Sequence, residues 1–405
     1  MSDAVFLTHV KLRNYKSIAQ CSVQLGPLSF LVGPNGAGKS NFLDALRLVA
    51  ESLNTSLDNA LRERGGIGEV RRRSAGHPTH FSIQLDFQLP DGRKGVYGFQ
   101  IGSARNVGFM VREEACRILE ADGESGAVFR IVEGKIKDSS ERVNPPASKD
   151  RLYLVAAAGL PPFRALYDAL SRMGFYNFNP DAIRELQSSD PGQVLRRDGS
   201  NLASVLNLMQ KENNDSYLRV VAFLSRVVPG VDGVSAKQLG KKETLEFRQR
   251  VVEGGAPWRF MAENMSDGTL RALGVLTSLF QSANGNKSHV PLVGIEEPEV
   301  AVHPGAAGVL RDALTSASAA TQVLVTSHSP DLLDDKDIGP ELILGVTSVN
   351  GETRIGSLDE AGRTAIKDRL FTAGELLRQN QLIPGKEKKI AQDKDQPDLF
   401  GESSE

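Results

Sequence analysis

The chain has 405 residues, 40% hydrophobic and 24% charged, with 48 Lys plus Arg against 50 Asp plus Glu. That length accommodates one large α/β domain with a subdomain, or two domains, and the near-neutral charge leaves nucleic-acid contact to local patches. Only Cys21 and Cys116 are present, which excludes a disulfide framework and a Cys-x-x-Cys metal site; with no signal peptide or long apolar run, the expectation is a cytoplasmic protein without a membrane segment.

In chain order, Val5, Leu7, Val10 and Leu12 predict a half-buried strand, and Leu28-Ser29-Phe30-Leu31-Val32 a short buried one. Phe42, Leu43, Leu46, Val49 and Leu53 share one face of a helix over 41–53. The period then drops to two: Phe81, Ile83, Leu85, Phe87 and Leu89 alternate with polar residues, and Pro90-Asp91-Gly92 turns the chain into Val96, Tyr97 and Phe99. This hairpin signal predicts an antiparallel layer beside the main sheet. Residues 120–149 read as exposed hairpins and loops, and 160–224 as mostly helical. Short strands then lead to a helix over 269–281, a strand over 290–295, a helix over 305–318 and a strand over 323–327. From 385 the Lys-, Glu-, Asp- and Gln-rich composition predicts a disordered tail.

Gly33-Pro34-Asn35-Gly36-Ala37-Gly38-Lys39-Ser40 matches the phosphate-loop pattern G-x-x-x-x-G-K-[ST] in full, between a buried strand and an amphipathic helix. Its glycines let backbone N–H groups turn inward on a phosphate, Lys39 reaches the β- and γ-phosphates of ATP, and the Ser40 hydroxyl ligates Mg²⁺. The helix N-terminus adds the positive end of its dipole. A second apolar strand ends in Glu296-Glu297-Pro298-Glu299, which offers Glu296 as the Mg²⁺ carboxylate and Glu297 as the base that activates water.

Two further segments have two readings each. Met265-Ser266-Asp267-Gly268-Thr269 precedes a helix, so Ser266 is either an N-cap alone or part of an ABC signature, with Asp267 and Gly268, that meets the γ-phosphate held by a partner subunit. His328, at the end of Val323-Leu324-Val325-Thr326-Ser327, either bonds a backbone carbonyl or contacts the γ-phosphate or attacking water.

Together these residues resemble the ABC-type ATPases of the RecF, structural-maintenance-of-chromosomes and OLD nuclease group. Leu12-Arg13-Asn14-Tyr15-Lys16-Ser17 is similar to that group's first strand, and the phosphate loop followed by Asn41 to its nucleotide-binding segment. Glu296-Glu297-Pro298-Glu299 with His303-Pro304 is similar to its Walker B and D-loop, Thr326-Ser327-His328-Ser329-Pro330 to its switch, and Asp198-Gly199-Ser200-Asn201-Leu202 to a lid segment of its compact members. The resemblance implies an α/β P-loop NTPase head, 1–384, with a mixed central sheet, an antiparallel side layer and halves 1–155 and 225–384 around a helical lid at about 156–224. It implies an ATPase using ATP and Mg²⁺ that closes as a homodimer. No heptads separate Lys39 from Ser266, and fewer than eighty residues follow His328, so coiled-coil arms and a TOPRIM nuclease domain are not expected. Glu296 stands where the group usually has aspartate, and neither Gln84 nor Gln88 qualifies as the Q-loop glutamine.

Arg71-Arg72-Arg73 with Arg62 and Arg64 reads either as a DNA-phosphate patch or as a solvated loop. Gln396-Pro397-Asp398-Leu399-Phe400 is similar to peptides that dock on the sliding clamp; the other reading is a segment that packs on its own domain. The functional expectation is an anti-phage ATPase controlling a separate nuclease chain. A RecF-like repair factor is the alternative, and a transporter's nucleotide-binding subunit ranks last.

Overall fold

The computed structural model describes residues 6–74, 76, 78–104, 108–120, 125–250, 256–281, 289–385 and 399–400. The N-terminal half begins with β1 (Leu7–Tyr15), β2 (Ile18–Gln24) and β3 (Leu28–Val32), then a helix, Lys39–Asn54. A meander follows: β4 (His80–Gln88), β5 (Lys94–Ala104), β6 (Gly108–Leu119), β7 (Ser125–Val132) and β8 (Lys135–Ser139). Next come β9 (Gly174–Tyr176), β10 (Gln187–Ser188), β11 (Val231–Leu239), β12 (Lys242–Gln249) and β13 (Trp258–Met261). The last strands are β14 (Leu292–Glu296), β15 (Gln322–Ser327), β16 (Ile343–Val349) and β17 (Glu352–Ser357).

Thirteen of these form one mixed sheet in the order β8-β7-β6-β5-β4-β1-β2-β17-β16-β3-β15-β14-β9. From β8 to β2 the pairs are antiparallel, and from β16 to β9 they are parallel. The Gln322 side chain of β15 further ties the parallel region to β1, bonding both the N–H and the carbonyl of Leu7, each at 2.8 Å. The remaining strands form a small sheet around β12, beside the helices Leu202–Glu212 and Asn214–Val227.

Every residue of β3 is buried, because helices cover both faces of the parallel region. Leu31 joins the cluster built with Phe42, Leu46, Val49, Phe81 and Phe99, while Phe30 and Val32 point into the one built with Leu270, Leu273, Leu276, Leu224 and Leu310. The helices expected over 41–53 and 269–281 are Lys39–Asn54 and Asp267–Phe280, and the hairpin expected after Phe81 is β4–β5.

Within 120–149, read as exposed hairpins and loops, β7 and β8 form a hairpin that joins the antiparallel layer. Two features differ from the sequence reading. Segment 156–224 is largely helical yet contributes β9, which pairs in parallel with β14 at the sheet edge. The hairpin β16–β17, unforeseen, lies between β2 and β3. Its turn is Asn350-Gly351, with φ of 53° and 76°, the positive pair that a tight hairpin requires. Both cysteines are buried and outside any disulfide.

Of the tail, 386–398 and 401–405 lie outside the described residues, and so do Gln396, Pro397 and Asp398 of the clamp-like peptide. Leu399 donates its N–H to the Gln84 side-chain oxygen at 3.1 Å. Phe400 packs over Gly98, where a Cβ would lie 2.9 Å from its ring.

Candidate nucleotide site

Three adjacent parallel strands end side by side: Val32 of β3 opposite Ser327 of β15, and Thr326 of β15 opposite Glu296 of β14. The phosphate loop, the switch and the acidic pair therefore emerge together at the carboxyl edge of the sheet, where ligands of open α/β folds bind.

The phosphate loop is shaped by what lies behind it. A Cβ on Gly33 would come within 1.9 Å of the Val346 carbonyl, and one on Gly38, at φ 102°, within 2.0 Å of the Thr353 hydroxyl. Thr353 donates to the Ala37 carbonyl at 2.8 Å and shares a 2.7 Å hydrogen bond with Ser17, which also accepts the Asn41 amide at 2.7 Å. The hairpin β16–β17 is thus the backing of the loop, and the Asn41 side chain faces that backing. Asn35 and Gly36 are exposed at the loop tip, with Gly36 at φ 76°, and Ala37 is buried. Lys39 begins its helix and folds back to donate to the carbonyls of Gly33 at 2.9 Å and Pro34 at 3.1 Å. Burial lowers the Lys39 pKa, while the nearby carboxylates of Glu297 and Glu299 oppose that shift. Ser40 follows on the same helical turn and is exposed.

Glu297 leaves the end of β14 with φ 47°, and its N–H donates to the Thr326 carbonyl at 3.0 Å. Its carboxylate meets His328 Nδ1 at 3.0 Å. With Glu297 ionised, that bond places the imidazole proton on Nδ1 and leaves Nε2 for another partner. Glu299 stands behind, accepting the Ser327 hydroxyl at 2.6 Å and the His328 N–H at 3.3 Å. Its burial raises its own pKa. Sequence reasoning gave Glu299 no role, and nothing in its spacing signals one. Glu296 accepts a 3.0 Å hydrogen bond from Arg197, 99 residues earlier in the chain.

Ser266 caps the helix Asp267–Phe280 by accepting the Thr269 N–H, so the capping reading holds at the level of local structure. Gly268 lies against the D-loop, where a Cβ would approach the Ala301 carbonyl to 2.1 Å, and Asp267 pairs with Arg184. Among the described residues, none of these three side chains hydrogen-bonds the phosphate loop.

The donor set suits Mg²⁺ held largely by nucleotide phosphates: one hydroxyl, Ser40, and one carboxylate, Glu296, beside a lysine-bearing anion loop. Among the described residues no group of three or more His, Cys, Asp or Glu side chains forms a metal cage.

The arginine patch divides. Arg64 is buried, 2% exposed, and bonds Asp44 and Glu51; Asp44 also holds Lys16, Arg47 and the Tyr15 hydroxyl. This buried cluster holds the Asp44 carboxyl well below the usual range, despite the opposing effect of burial, chiefly through Arg64. Arg72 reaches Glu352 at 3.0 Å and Arg71 bonds Ser103, while the exposed Arg62 and Arg73 pair with Asp58 and Glu69. Gln84 is engaged by Asp86 and Leu399 on the outer face of β4, and Gln88 is exposed at the end of that strand.

The AAA_21 family model, described as the AAA domain of AbiEii-type toxins of type IV TA systems, matches residues 28–334. The chain is 30% identical over 191 residues to a metal transport system ATP-binding protein of Chlamydia trachomatis, covering 46% of this chain and 70% of that one. It is 23% identical over 356 residues to the Old nuclease of Escherichia phage P2, covering 82% of this chain and 58% of the nuclease. A crystal structure of an Smc head bound to the C-terminal winged-helix domain of ScpA superposes with a TM-score of 0.54 at 13% identity, over 88% of this chain and 99% of that head.

Proposed function

Because the chain belongs to the AAA_21 family of ABC-type ATPase domains, we propose that it binds ATP in the loop 33–40 and hydrolyses it with Glu297 as the base. The observation that carries this reading is the Glu297–His328 pair, 3.0 Å apart at the edge that also presents Lys39. Mg²⁺, held by Ser40 and Glu296, would supply charge neutralisation at the phosphates. The loop N–H groups and Lys39 would bind and orient the nucleotide, Lys39 exchanging its carbonyl partners for phosphate oxygens. Glu297 would take the proton of the attacking water, held in place by Nδ1 of His328, whose Nε2, left as an acceptor, would face that water.

In the finer reading, two copies close over ATP as a homodimer, Ser266, Asp267 and Gly268 of one facing the phosphate loop of the other, and opening after hydrolysis switches a separate effector. The AbiEii-type family and the length shared with the Old nuclease favour a defence setting with a nuclease as that effector. The chain spans 58% of the length of the Old nuclease. DNA is the alternative load; of the arginines after the first helix, Arg62 and Arg73 stay exposed in surface pairs, whereas Arg64 and Arg72 are held by Asp44 and Glu352. Among the described residues no helix is long and apolar enough to cross a membrane.

The test is ATP turnover and mass in solution for the unaltered protein, Lys39→Ala and Glu297→Gln. Glu297→Gln is expected to lower turnover by about 10²-fold or more while retaining ATP and accumulating as a dimer. Lys39→Ala is expected to lose binding. Turnover undiminished by Glu297→Gln would remove the base assignment, and a variant that binds ATP yet stays monomeric would remove the sandwich.

A further inference from the structure

The Arg197–Glu296 contact follows from the register of the sheet edge. Tyr176 at the end of β9 pairs with Ile295 of β14, which sets Asn177 beside Glu296. The Asn177 and Asn179 N–H groups then donate to the carbonyls of Arg197 and Asp198, at 3.0 and 3.1 Å. The segment 196–201 is therefore laid across the end of the acidic strand as though it extended the sheet.

That segment is braced independently of the ion pair. Asn201, 2% exposed, accepts the Arg196 N–H at 2.8 Å and donates to Asp190 and the Val194 carbonyl, each at 3.0 Å. Gly199, at φ 83°, sits where a Cβ would come within 2.7 Å of Ile183. The helix Leu202–Glu212 begins directly afterwards. From this fixed backbone Arg197 reaches Glu296 Oε1 at 3.0 Å; its side chain is 45% exposed and that of Glu296 23%.

We propose that Arg197 is a positioning residue for the metal carboxylate: a resident counter-cation that neutralises Glu296 before nucleotide arrives and is displaced by Mg²⁺. The inference rests on the ATP-binding reading above. Arg197 and a Mg²⁺ ion would compete for the charge of the one Glu296 carboxylate, and a divalent ion with phosphate ligands outcompetes a half-exposed guanidinium. Loading Mg²⁺·ATP therefore breaks the tie between the acidic strand and segment 196–201, so the helix that follows registers site occupancy.

The experiment measures equilibrium binding of a fluorescent ATP analogue as a function of Mg²⁺ concentration. It uses Glu297→Gln protein, so that hydrolysis does not consume the probe, with and without Arg197→Ala. The expected result is a fall of about 2- to 5-fold in half-saturating Mg²⁺ for Arg197→Ala, the scale of one half-exposed ion pair, with unchanged affinity in EDTA. Arg197→Lys is expected to fall between the two, which a merely structural role would not produce. An unchanged Mg²⁺ requirement, or lower nucleotide affinity at saturating Mg²⁺, overturns the proposal; the latter makes Arg197 a nucleotide ligand. If the Glu297→Gln parent binds no nucleotide, the ATPase reading fails and the inference falls with it. A matching thermal melt of both proteins without nucleotide excludes misfolding as the cause of either result.

Discussion

At the scale of single residues, Glu297 combines a left-handed backbone, φ 47°, with a histidine partner at 3.0 Å. A non-glycine residue in that region is held there by its surroundings, here by its N–H on the Thr326 carbonyl, and the turn aims the carboxylate off the strand end. Glu299 then holds the switch backbone by accepting both the Ser327 hydroxyl and the His328 N–H, so a half-buried carboxylate steadies the residue whose imidazole meets Glu297. If His328 orients Glu297, His328→Ala should lower kcat by about 10²-fold and leave ATP affinity nearly unchanged. Parallel measurements of turnover and nucleotide binding check this; an equal loss in both would make His328 a phosphate ligand instead.

At the scale of elements, the antiparallel layer is tied to the helical segment by one carboxylate. Glu114 of β6 is fully buried and accepts the N–H groups of Tyr153 and Leu154 and the Tyr97 hydroxyl, at 2.5, 2.9 and 3.0 Å. Burial outweighs these bonds and raises its pKa from 4.5 to about 7. Between those values the folded protein keeps a proton that the unfolded chain has released, so stability is greatest at low pH and declines as pH rises through about 7. The decline attributable to this group is on the order of 3 kcal/mol. Melting temperatures at pH 5 and pH 8 are expected to show a smaller difference in Glu114→Gln, which cannot ionise; an undiminished difference would count against Glu114 as the source.

At the scale of the whole molecule, the site is assembled from both halves of the chain. β3 and the phosphate loop come from the first, β14, β15 and the backing hairpin β16–β17 from the second, and the parallel pairing of β16, β3, β15 and β14 is what joins them. Ser266 caps its own helix, and in the proposed closed dimer it would face the phosphate loop of the other copy. Mixing inactive Lys39→Ala with inactive Ser266→Arg protein should then restore roughly a quarter of the turnover, because half the dimers are mixed and each of those has one intact site. Strict additivity of the two inactive preparations would mean that each subunit works alone.

The sequence by itself determined the phosphate loop, the acidic strand end and the strand bearing His328, because each is a short apolar run whose polar terminus has a fixed chemical grammar. It also determined the two long amphipathic helices and the first hairpin, whose periods are local. It left unread everything set by distant pairing. The hairpin at Asn350-Gly351 went unread, and nothing local said that Thr353 would stand behind Gly38. Arg64 looked like part of a basic surface run until the fold buried it on Asp44, and Arg197 meets Glu296 only because β9 docks beside β14. Charges of the same kind in similar composition thus take opposite fates, since burial and partnership belong to the packed sheet and not to the chain order.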